Sequence, residues 1–422
     1  MDMAVVENLW RPSAMRVSET KGDSPSGFNS IRLVSNRMSM DILESISINS
    51  KEDWISVIVD LDFWGDVPDP NILEIISQSS NERGLSVKIK SSEIEWLAEF
   101  LPWGSDNRIE SRVVNSHLSV DKPCGGYRWK EQDIIILRKI KIYQSNTNDD
   151  LIKALSEGNK EIAIDILYNS GKSLGSYHSS VESVRETPMD QKRWNKRLLD
   201  LEEKLSANTI WRAPFSRKAT CMLSLGDVRF TDILVSEGNE YSLRISPPRL
   251  ADGLYKPVCE FPAIRDLSCL VQDLGRLFHK TKSPLDITDL RKSLIEGWID
   301  TAPSSWSSPD VFYAHRGGLA IWEYEQSLLD VLESTANQSG PPSPAVQIIS
   351  KVIPFQKSMY NSRTIAALSV ISIFLGISTV INNPPTSFSD TVIPSFCIIL
   401  GYFTHSLYRK LSPPPEKPIT DL

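Results

Sequence analysis

Apolar and polar residues alternate with a period of two through much of residues 31–143, which predicts β-strands in this region. The predicted strands are Val57–Phe63, Leu85–Ile89 and Leu137–Ile142. Two intervening stretches, Asn71–Ser80 and Ser92–Leu101, are predicted to be helical. Residues 1–28 mix serine, proline, glycine and charge without periodicity, so they are expected to be disordered. Residues 29–146 are therefore predicted to form a β-rich lobe.

After Asn148 the apolar period lengthens to that of an amphipathic helix, and residues 147–334 are predicted to form a mainly helical lobe. The predicted helices are Asp150–His178, Ala263–His279, Ile287–Asp300 and Gly317–Ser334. Short strands are expected between them at Cys221–Leu225, Ile233–Val235 and Tyr241–Ile245. The fold class is therefore α+β. A polar, proline-rich stretch that begins at Thr335 predicts a linker over residues 335–362.

The last apolar region, residues 363–410, contains two runs, Thr364–Ile381 and Thr391–Tyr408, each long enough to cross a hydrocarbon core about 30 Å thick. Between Arg363 and Arg409 there is no lysine or arginine, and Asp390 is the single acidic residue. A helical hairpin buried in a globular domain would need a polar face, which these runs lack. The pattern predicts a transmembrane helical hairpin.

Positive charge lies on both outer flanks of this hairpin and is absent from its connecting loop, Asn382–Asp390. The positive-inside rule therefore places both termini, including a tail at 411–422, in the cytosol. The protein is expected to be a two-span membrane protein. His405 is the one ionisable side chain within a span and lies near its end, so transport is not indicated.

Composition limits the remaining function classes. The net charge of -7 gives no general basic surface, so nucleic acid is not an expected partner. The five cysteines are scattered and contain no C-x-x-C pair, which argues against a disulfide framework or a structural zinc site.

The segment Leu223–Val235, LSLGDVRFTDILV, is the part of the sequence that carries candidate chemistry. Gly226 and Asp227 follow a predicted strand, and Asp232 precedes the next one. A loop of this form places one carboxylate where it can take a proton from a hydroxyl group and a second where it can hold magnesium. A glycine–aspartate turn is also a common structural feature without any catalytic role.

This segment resembles the catalytic loop of the aminoglycoside phosphotransferase-like branch of the protein-kinase-like superfamily, roughly His-Gly-Asp-x-x-x-x-Asn followed by Ile-Leu-Val. Three further features occur in the family's order: LGSYH at Leu174–His178, AIRDL at Ala263–Leu267 and LIEGWID at Leu294–Asp300. The resemblance implies a two-lobed kinase-like fold and use of ATP and magnesium. It also implies that Asp227 is the base, and that Asp266 braces the catalytic loop beside Gly226.

The sequence departs from this family where the metal should bind. Leu225 replaces the histidine, Asp232 replaces the asparagine, and Ser246 stands where active members have the metal-binding aspartate. A neutral hydroxyl is a weak magnesium ligand, so ordinary catalysis is expected to be crippled. Asp232 or Asp252 could supply a replacement carboxylate.

The nucleotide side of the resemblance is also incomplete, because no G-x-G-x-x-G motif precedes the strands. Lys88 or Lys90 could pair with nucleotide phosphates, with Glu95 or Glu99 as the ion-pair partner of that lysine. Either lysine could equally be a solvated residue of an edge strand.

Three functions remain open from the sequence. The first is a membrane-anchored pseudokinase that acts as an interaction or regulatory module with a protein partner. The second is an active ATP-dependent phosphotransferase that acts on a small molecule, a lipid-linked substrate or a protein. The third is a two-span membrane protein with an unrelated α+β cytosolic domain.

Overall fold

The computed structural model describes residues 9–20, 22–35, 38–106, 108–115, 120–141, 143, 145–181, 191–205, 221–222, 224–257, 260–308 and 318–411. The expected C-terminal tail beyond residue 411 and the first eight residues lie outside this part of the chain.

Strands dominate the first third of the chain, as the alternating pattern predicted. They are β1 Arg16–Thr20, β2 Phe28–Ser35, β3 Met38–Ser45, β4 Asp62–Gly65, β5 Leu73–Asn81, β6 Gly84–Ser91, β7 Ile94–Asp106, β8 Gly125–Trp129 and β9 Gln132–Lys139. The first three strands form one antiparallel sheet. The other six form a second antiparallel sheet in the order β4-β8-β9-β7-β6-β5.

The helices predicted at Asn71–Ser80 and Ser92–Leu101 are wrong, because both segments are strands of the six-stranded sheet, β5 and β7. The side chains of Trp96, Ala98 and Phe100 recur with a period of two and are buried on one face. Glu95 and Glu99 are four residues apart, the spacing of one helix face, and only pairing with β6 and β9 resolves the ambiguity.

Two further predictions for the β-rich region need correction. The residues predicted as a strand at Val57–Phe63 contain the end of helix α1, Lys51–Ile58, which buries Trp54 and is capped by Ser50. Within residues 1–28, expected to be disordered, β1 pairs with β2 and Trp10 is buried in the core.

The second part of the chain is mainly helical, so the predicted α+β class is confirmed. Its described helices, after α2 at Arg108–Asn115, are α3 Thr147–Glu157, α4 Lys160–Ser180, α5 Gln191–Lys204, α6 Leu250–Leu254, α7 Ala263–Thr281, α8 Ile287–Thr301, α9 Ser304–Ser307 and α10 Leu319–Ala336. A small sheet of β10 Ser145–Asn146, β11 Ile233–Val235 and β12 Tyr241–Leu243 lies among them. The strand predicted at Cys221–Leu225 is reduced to a single bridge between Met222 and Phe261.

Helices α4 and α8 cross at two glycines. A Cβ added at Gly171 would overlap the backbone oxygen of Leu294, and one added at Gly297 would overlap that of Tyr168. Both obstacles are backbone atoms, which cannot rotate away. This crossing therefore needs glycine on both helices, and it fixes α4 against the core that positions the site described below.

We expect Gly297→Ala to destabilise the full-length protein by about 1–3 kcal/mol, because overpacking at a backbone contact outweighs the gain in helix propensity. Thermal unfolding in detergent micelles measures this change. Gly340→Ala is the matched control, since no atom lies within 4 Å of a Cβ added there. An increase in stability of the Gly297 variant would contradict the close helix crossing.

The C-terminal residues form two long helices, α11 Ser343–Asn382 and α12 Phe388–Leu411. Residues 343–362, predicted as a linker, are therefore the first part of α11, and the buried side chains of Ala345, Ile348 and Val352 hold them in contact with the helical lobe. Two segments, Ser362–Asn382 with mean hydropathy 2.3 and Phe388–Leu411 with 1.3, are long and apolar enough to cross a membrane.

Candidate functional site

The turn that contains Gly226 is held by a fully buried aspartate at the start of α7. Asp266 accepts hydrogen bonds from the Leu225 backbone amide at 2.8 Å and from the Ser224 hydroxyl at 2.5 Å. Gly226 has a φ of +87°, a conformation that favours glycine. The structure thus brings Gly226 and Asp266, both singled out in the sequence, to the same turn.

His178, at the end of α4, supports the far side of Asp266. Its Nε2 lies 3.4 Å from Asp266 Oδ2, and its Nδ1 accepts a hydrogen bond of 2.9 Å from the indole of Trp298. Because Nδ1 is an acceptor, the proton of the neutral ring lies on Nε2 and points toward Asp266. The three features LGSYH, AIRDL and LIEGWID therefore meet around one turn.

Asp227, the expected base, is surrounded by arginine side chains, and its own side chain has no solvent exposure. Arg229 Nε lies 2.6 Å from Asp227 Oδ2, Arg83 Nη2 lies 3.3 Å from the same oxygen, and Arg249 Nη1 lies 3.5 Å from Oδ1. Both carboxylate oxygens thus face a guanidinium group.

Asp232 also forms an ion pair with Arg83. Its Oδ2 lies 3.1 Å from Arg83 Nη2 and accepts a 2.9 Å hydrogen bond from the Arg229 backbone amide. Its Oδ1 accepts a hydrogen bond from the Ser246 hydroxyl. We call Arg83, Arg229, Arg249, Asp227 and Asp232 the arginine–carboxylate cluster.

Two arginines of the cluster also form ion pairs with acidic residues outside it. Arg249 makes 2.6 Å ion pairs with Asp330 and Glu333 of α10. Arg229 pairs with Glu82, which lies beside Arg83 at the tip of the β5–β6 hairpin. The cluster therefore connects the β-rich lobe, the Gly226 turn and α10.

The charge of Asp227 is stabilised by this environment. Burial alone would raise the pKa of Asp227, but the fields of Arg229, Arg249 and Arg83 outweigh it and hold that pKa far below its ordinary value. Burial likewise acts to lower the pKa of Arg83, and the carboxylates of Asp232 and Asp227 raise it above its ordinary value. The charges of Asp227 and Arg83 thus stabilise one another.

Asp252, named as a second metal ligand from the sequence, borders the Gly226 turn but forms no described ion pair with the arginines of the cluster. It is buried in α6 and lines a separate cavity. Burial raises the pKa of Asp252, against the opposing fields of Arg265, Arg249 and Arg197. No group of three histidine, cysteine, aspartate or glutamate side chains suited to a metal ion occurs in the described residues.

The residues present do not fit magnesium. The carboxylate oxygens of Asp227 and Asp232 face guanidinium groups. Ser246 carries no negative charge, and its hydroxyl donates a hydrogen bond to Asp232. A divalent cation requires oxygen ligands that are free of competing donors. Arg83 supplies the positive charge at this place.

The lysine–glutamate pair expected on the nucleotide side is not formed in the described residues. Lys88 and Glu95 are exposed, and Glu95 lies on strand β7, not on a helix. Lys90 stands opposite Glu95 in the strand register. Glu99 is buried, but its partner is Arg138 of β9, at 2.7 Å.

A cavity of about 360 Å³ lies between the β5–β6 hairpin and the Asp232 segment. Charged side chains of Arg83, Glu99, Asp232 and Arg244 line it, together with Ser246. We call it the hairpin cavity. Its size is within the range of small-molecule sites, and its charges are already paired with one another.

Sequence reasoning missed the arginines. Arg229 lies between Asp227 and Asp232 in the sequence, and Arg249 lies between Ser246 and Asp252. The short sequence distance from each arginine to a predicted acidic residue was a usable signal. Arg83 is separated from Asp227 by 144 positions, and nothing in its local sequence indicates the contact.

Comparisons with known proteins found solved structures that share low sequence identity with this chain. No family model and no curated protein matches this sequence. A glucosamine kinase structure is similar over 84% of this chain and 96% of its own, with 12% identity and a TM-score of 0.49. An ethanolamine kinase of Plasmodium vivax is similar over 67% of this chain and 82% of its own, with 10% identity and a TM-score of 0.35. A spectinomycin phosphotransferase solved with ADP and spectinomycin is similar over 66% of this chain and 92% of its own, with 14% identity and a TM-score of 0.32.

We expect Asp266→Ala to cost about 1–3 kcal/mol of stability, because it leaves the buried Leu225 amide and Ser224 hydroxyl without an acceptor. Thermal unfolding of the full-length protein in detergent measures the change. Glu237→Ala, at an exposed residue, is the control. Equal stability of the two variants would show that Asp266 does not hold the turn.

Proposed function

We propose that this protein is a membrane-anchored, kinase-like protein that does not perform magnesium-dependent phosphoryl transfer and acts instead as an interaction module for a protein partner. One observation carries the proposal. Arg83, 8% exposed, reaches from the β-rich lobe and places one guanidinium nitrogen within 3.3 Å of both Asp227 and Asp232. A permanent side-chain cation stands where a kinase needs an exchangeable one.

The charge of Asp227 also argues against a role as base. A general base works best when its pKa lies near the operating pH, and the pKa of Asp227 is held far below that range. Its arginine partners stabilise the ionised form and so reduce its affinity for a proton. Asp227 is better suited to joining structural elements than to accepting a substrate proton.

An active ATP-dependent phosphotransferase is the second candidate. It is favoured by the retention of Asp227 and by the carboxylate of Asp232, which lines a cavity of about 360 Å³. For this function the β5–β6 hairpin would have to withdraw Arg83 before Asp232 could bind magnesium with ATP. Withdrawal would break the contacts of Arg83 with Asp227, Asp232 and the backbone oxygen of Pro247.

The membrane anchor is proposed for α11 and α12. Large apolar side chains on these helices are exposed, such as Phe374 at 68% and Phe403 at 65%, and in water such a surface would be unfavourable. Lys351 precedes the first span and Lys410 follows the second, which supports cytosolic placement of both ends.

We expect ATP with magnesium to leave the melting temperature of the wild-type protein unchanged, because Arg83 competes with the metal for the carboxylates. The double variant Arg83→Ala/Ser246→Asp removes this cation and adds a metal ligand. It should gain a magnesium-dependent rise, up to about 2.7 kcal/mol of stabilisation when ATP is at a hundred times its dissociation constant.

Arg83→Ala/Ser246→Asn is the matched control, since asparagine has the shape of aspartate without its charge. It should show no magnesium dependence. A magnesium-dependent rise in the wild-type protein would contradict the proposal and favour the active phosphotransferase.

We expect a cysteine at Ser387, in the exposed loop between α11 and α12, and one at Ser339, exposed before α11, to lie on opposite sides of the membrane. If the spans cross the plasma membrane, an impermeant thiol reagent should label Ser387→Cys but not Ser339→Cys on intact cells. If they cross an internal membrane, selective permeabilisation of the plasma membrane should expose Ser339→Cys, and Ser387→Cys should react only after detergent dissolves the internal membrane. Labelling of both variants on intact cells, or first labelling of both on selective permeabilisation, would contradict a two-span topology.

A further inference from the structure

A second cavity, of about 330 Å³, lies on the other side of the Gly226 turn from the hairpin cavity. Helix α2 contributes Ile109 and Arg112 to its wall, the turn contributes Leu225 and Gly226, and α6 contributes Asp252. Among the described residues, Ser246 is the one lining residue that the two cavities share. We call this second space the Asp252 cavity.

Asp252 is the unusual feature of this cavity. It is 8% exposed, and no hydrogen bond or ion pair of its carboxylate is present within the described part of the chain. The neighbouring arginines are committed elsewhere, since Arg265 and Arg197 both bind Glu325, each through a contact of 2.6 Å. The carboxylate thus borders the cavity without a donor from the described protein residues, and a ligand that supplies a donor would bind it there.

Positive charge also lines the cavity. Lys256, just after α6, is exposed and makes no described ion pair. Arg112 uses its Nε on the Ser224 backbone oxygen, at 2.7 Å, and lines the same space. Apolar side chains, including Ile109, Leu225 and Pro248, form part of the wall. The cavity therefore combines a carboxylate acceptor, cationic side chains and an apolar surface.

We propose that the Asp252 cavity binds a small zwitterion of the amino-acid class, with its ammonium group donating to Asp252 and its carboxylate facing Lys256. A volume of about 330 Å³ suits a molecule of this size. The site does not use the arginine–carboxylate cluster, so it does not depend on whether the protein binds nucleotide. Through the shared residue Ser246, an occupied cavity adjoins the hydroxyl that binds Asp232.

The test is thermal unfolding of the full-length protein in detergent micelles, with the free L-amino acids as probes. At least one amino acid should raise the melting temperature of the wild type, whereas its methyl ester and its N-acetyl derivative, each lacking one charge, should not. Asp252→Asn and Lys256→Ala should abolish the rise. Lys292→Ala, at an exposed lysine outside the cavity, should retain it.

The proposal is overturned if no amino acid raises the wild-type melting temperature, as expected when solvent alone fills the cavity, or if the rise persists in Asp252→Asn. A second measurement needs no ligand. Because Asp252 has no donor to lose, Asp252→Asn should melt at or above the wild-type temperature in the absence of amino acids. A marked decrease would show that the carboxylate has a structural partner, which contradicts the proposed site.

Discussion

The contact of Arg83 with Asp227 and Asp232 is the interaction on which the arrangement of the two lobes depends. Removing five charged groups from water carries a large desolvation penalty, and mutual attraction compensates for it only when every member is in place. Loss of one member leaves an uncompensated buried charge. Through the cluster, the β5–β6 hairpin is held by its contact with the segment after the Gly226 turn. That segment is in turn held by the contact of Asp227 with Arg249.

This mutual dependence changes how Asp227 must be interpreted. In an enzyme, replacement of a base by its amide isolates the chemical role, because the fold survives. Here the same replacement would remove the one carboxylate that Arg83, Arg229 and Arg249 share. The arginines would keep only their other acidic partners, and their mutual repulsion would be less well compensated. A loss of function in such a variant would report on folding as much as on catalysis. Substitutions at Ser246 avoid this problem because they leave every arginine paired.

The sequence predicted those parts of the fold whose signal is local. The helix Ala263–His279 has a complete apolar stripe, and α7 follows it closely, ending at Thr281. The acidic positions Asp227, Asp232 and Asp266 were recognised from short motifs, and the structure brings all three to the region of the Gly226 turn. Motifs of this kind encode residues that are near one another in the chain.

The remaining features depend on contacts between distant residues. Whether β5 and β7 are strands is decided by their hydrogen bonds to β6 and β9, and not by their own composition. Arg83 is an ordinary residue at a hairpin tip until the fold places it against Asp232. The family resemblance directed attention to a missing carboxylate at Ser246, whereas the stronger departure is an added guanidinium that no motif contains.

The path from the cluster to the proposed membrane anchor consists of regular helices. Arg249 binds Glu333 near the end of α10, and α11 begins after a short loop and packs against α10 and α7. The buried residues from Ala345 to Val352 form part of the same α11 that continues into the first proposed span. Pro354, which cannot donate a backbone hydrogen bond, is the natural place for that helix to bend. Because the described residues 343–382 form one helix from the lobe into the proposed span, a membrane anchor would fix the orientation of the lobe relative to the membrane. Such a constraint suits an interaction module, for which presentation of a surface matters more than lobe opening.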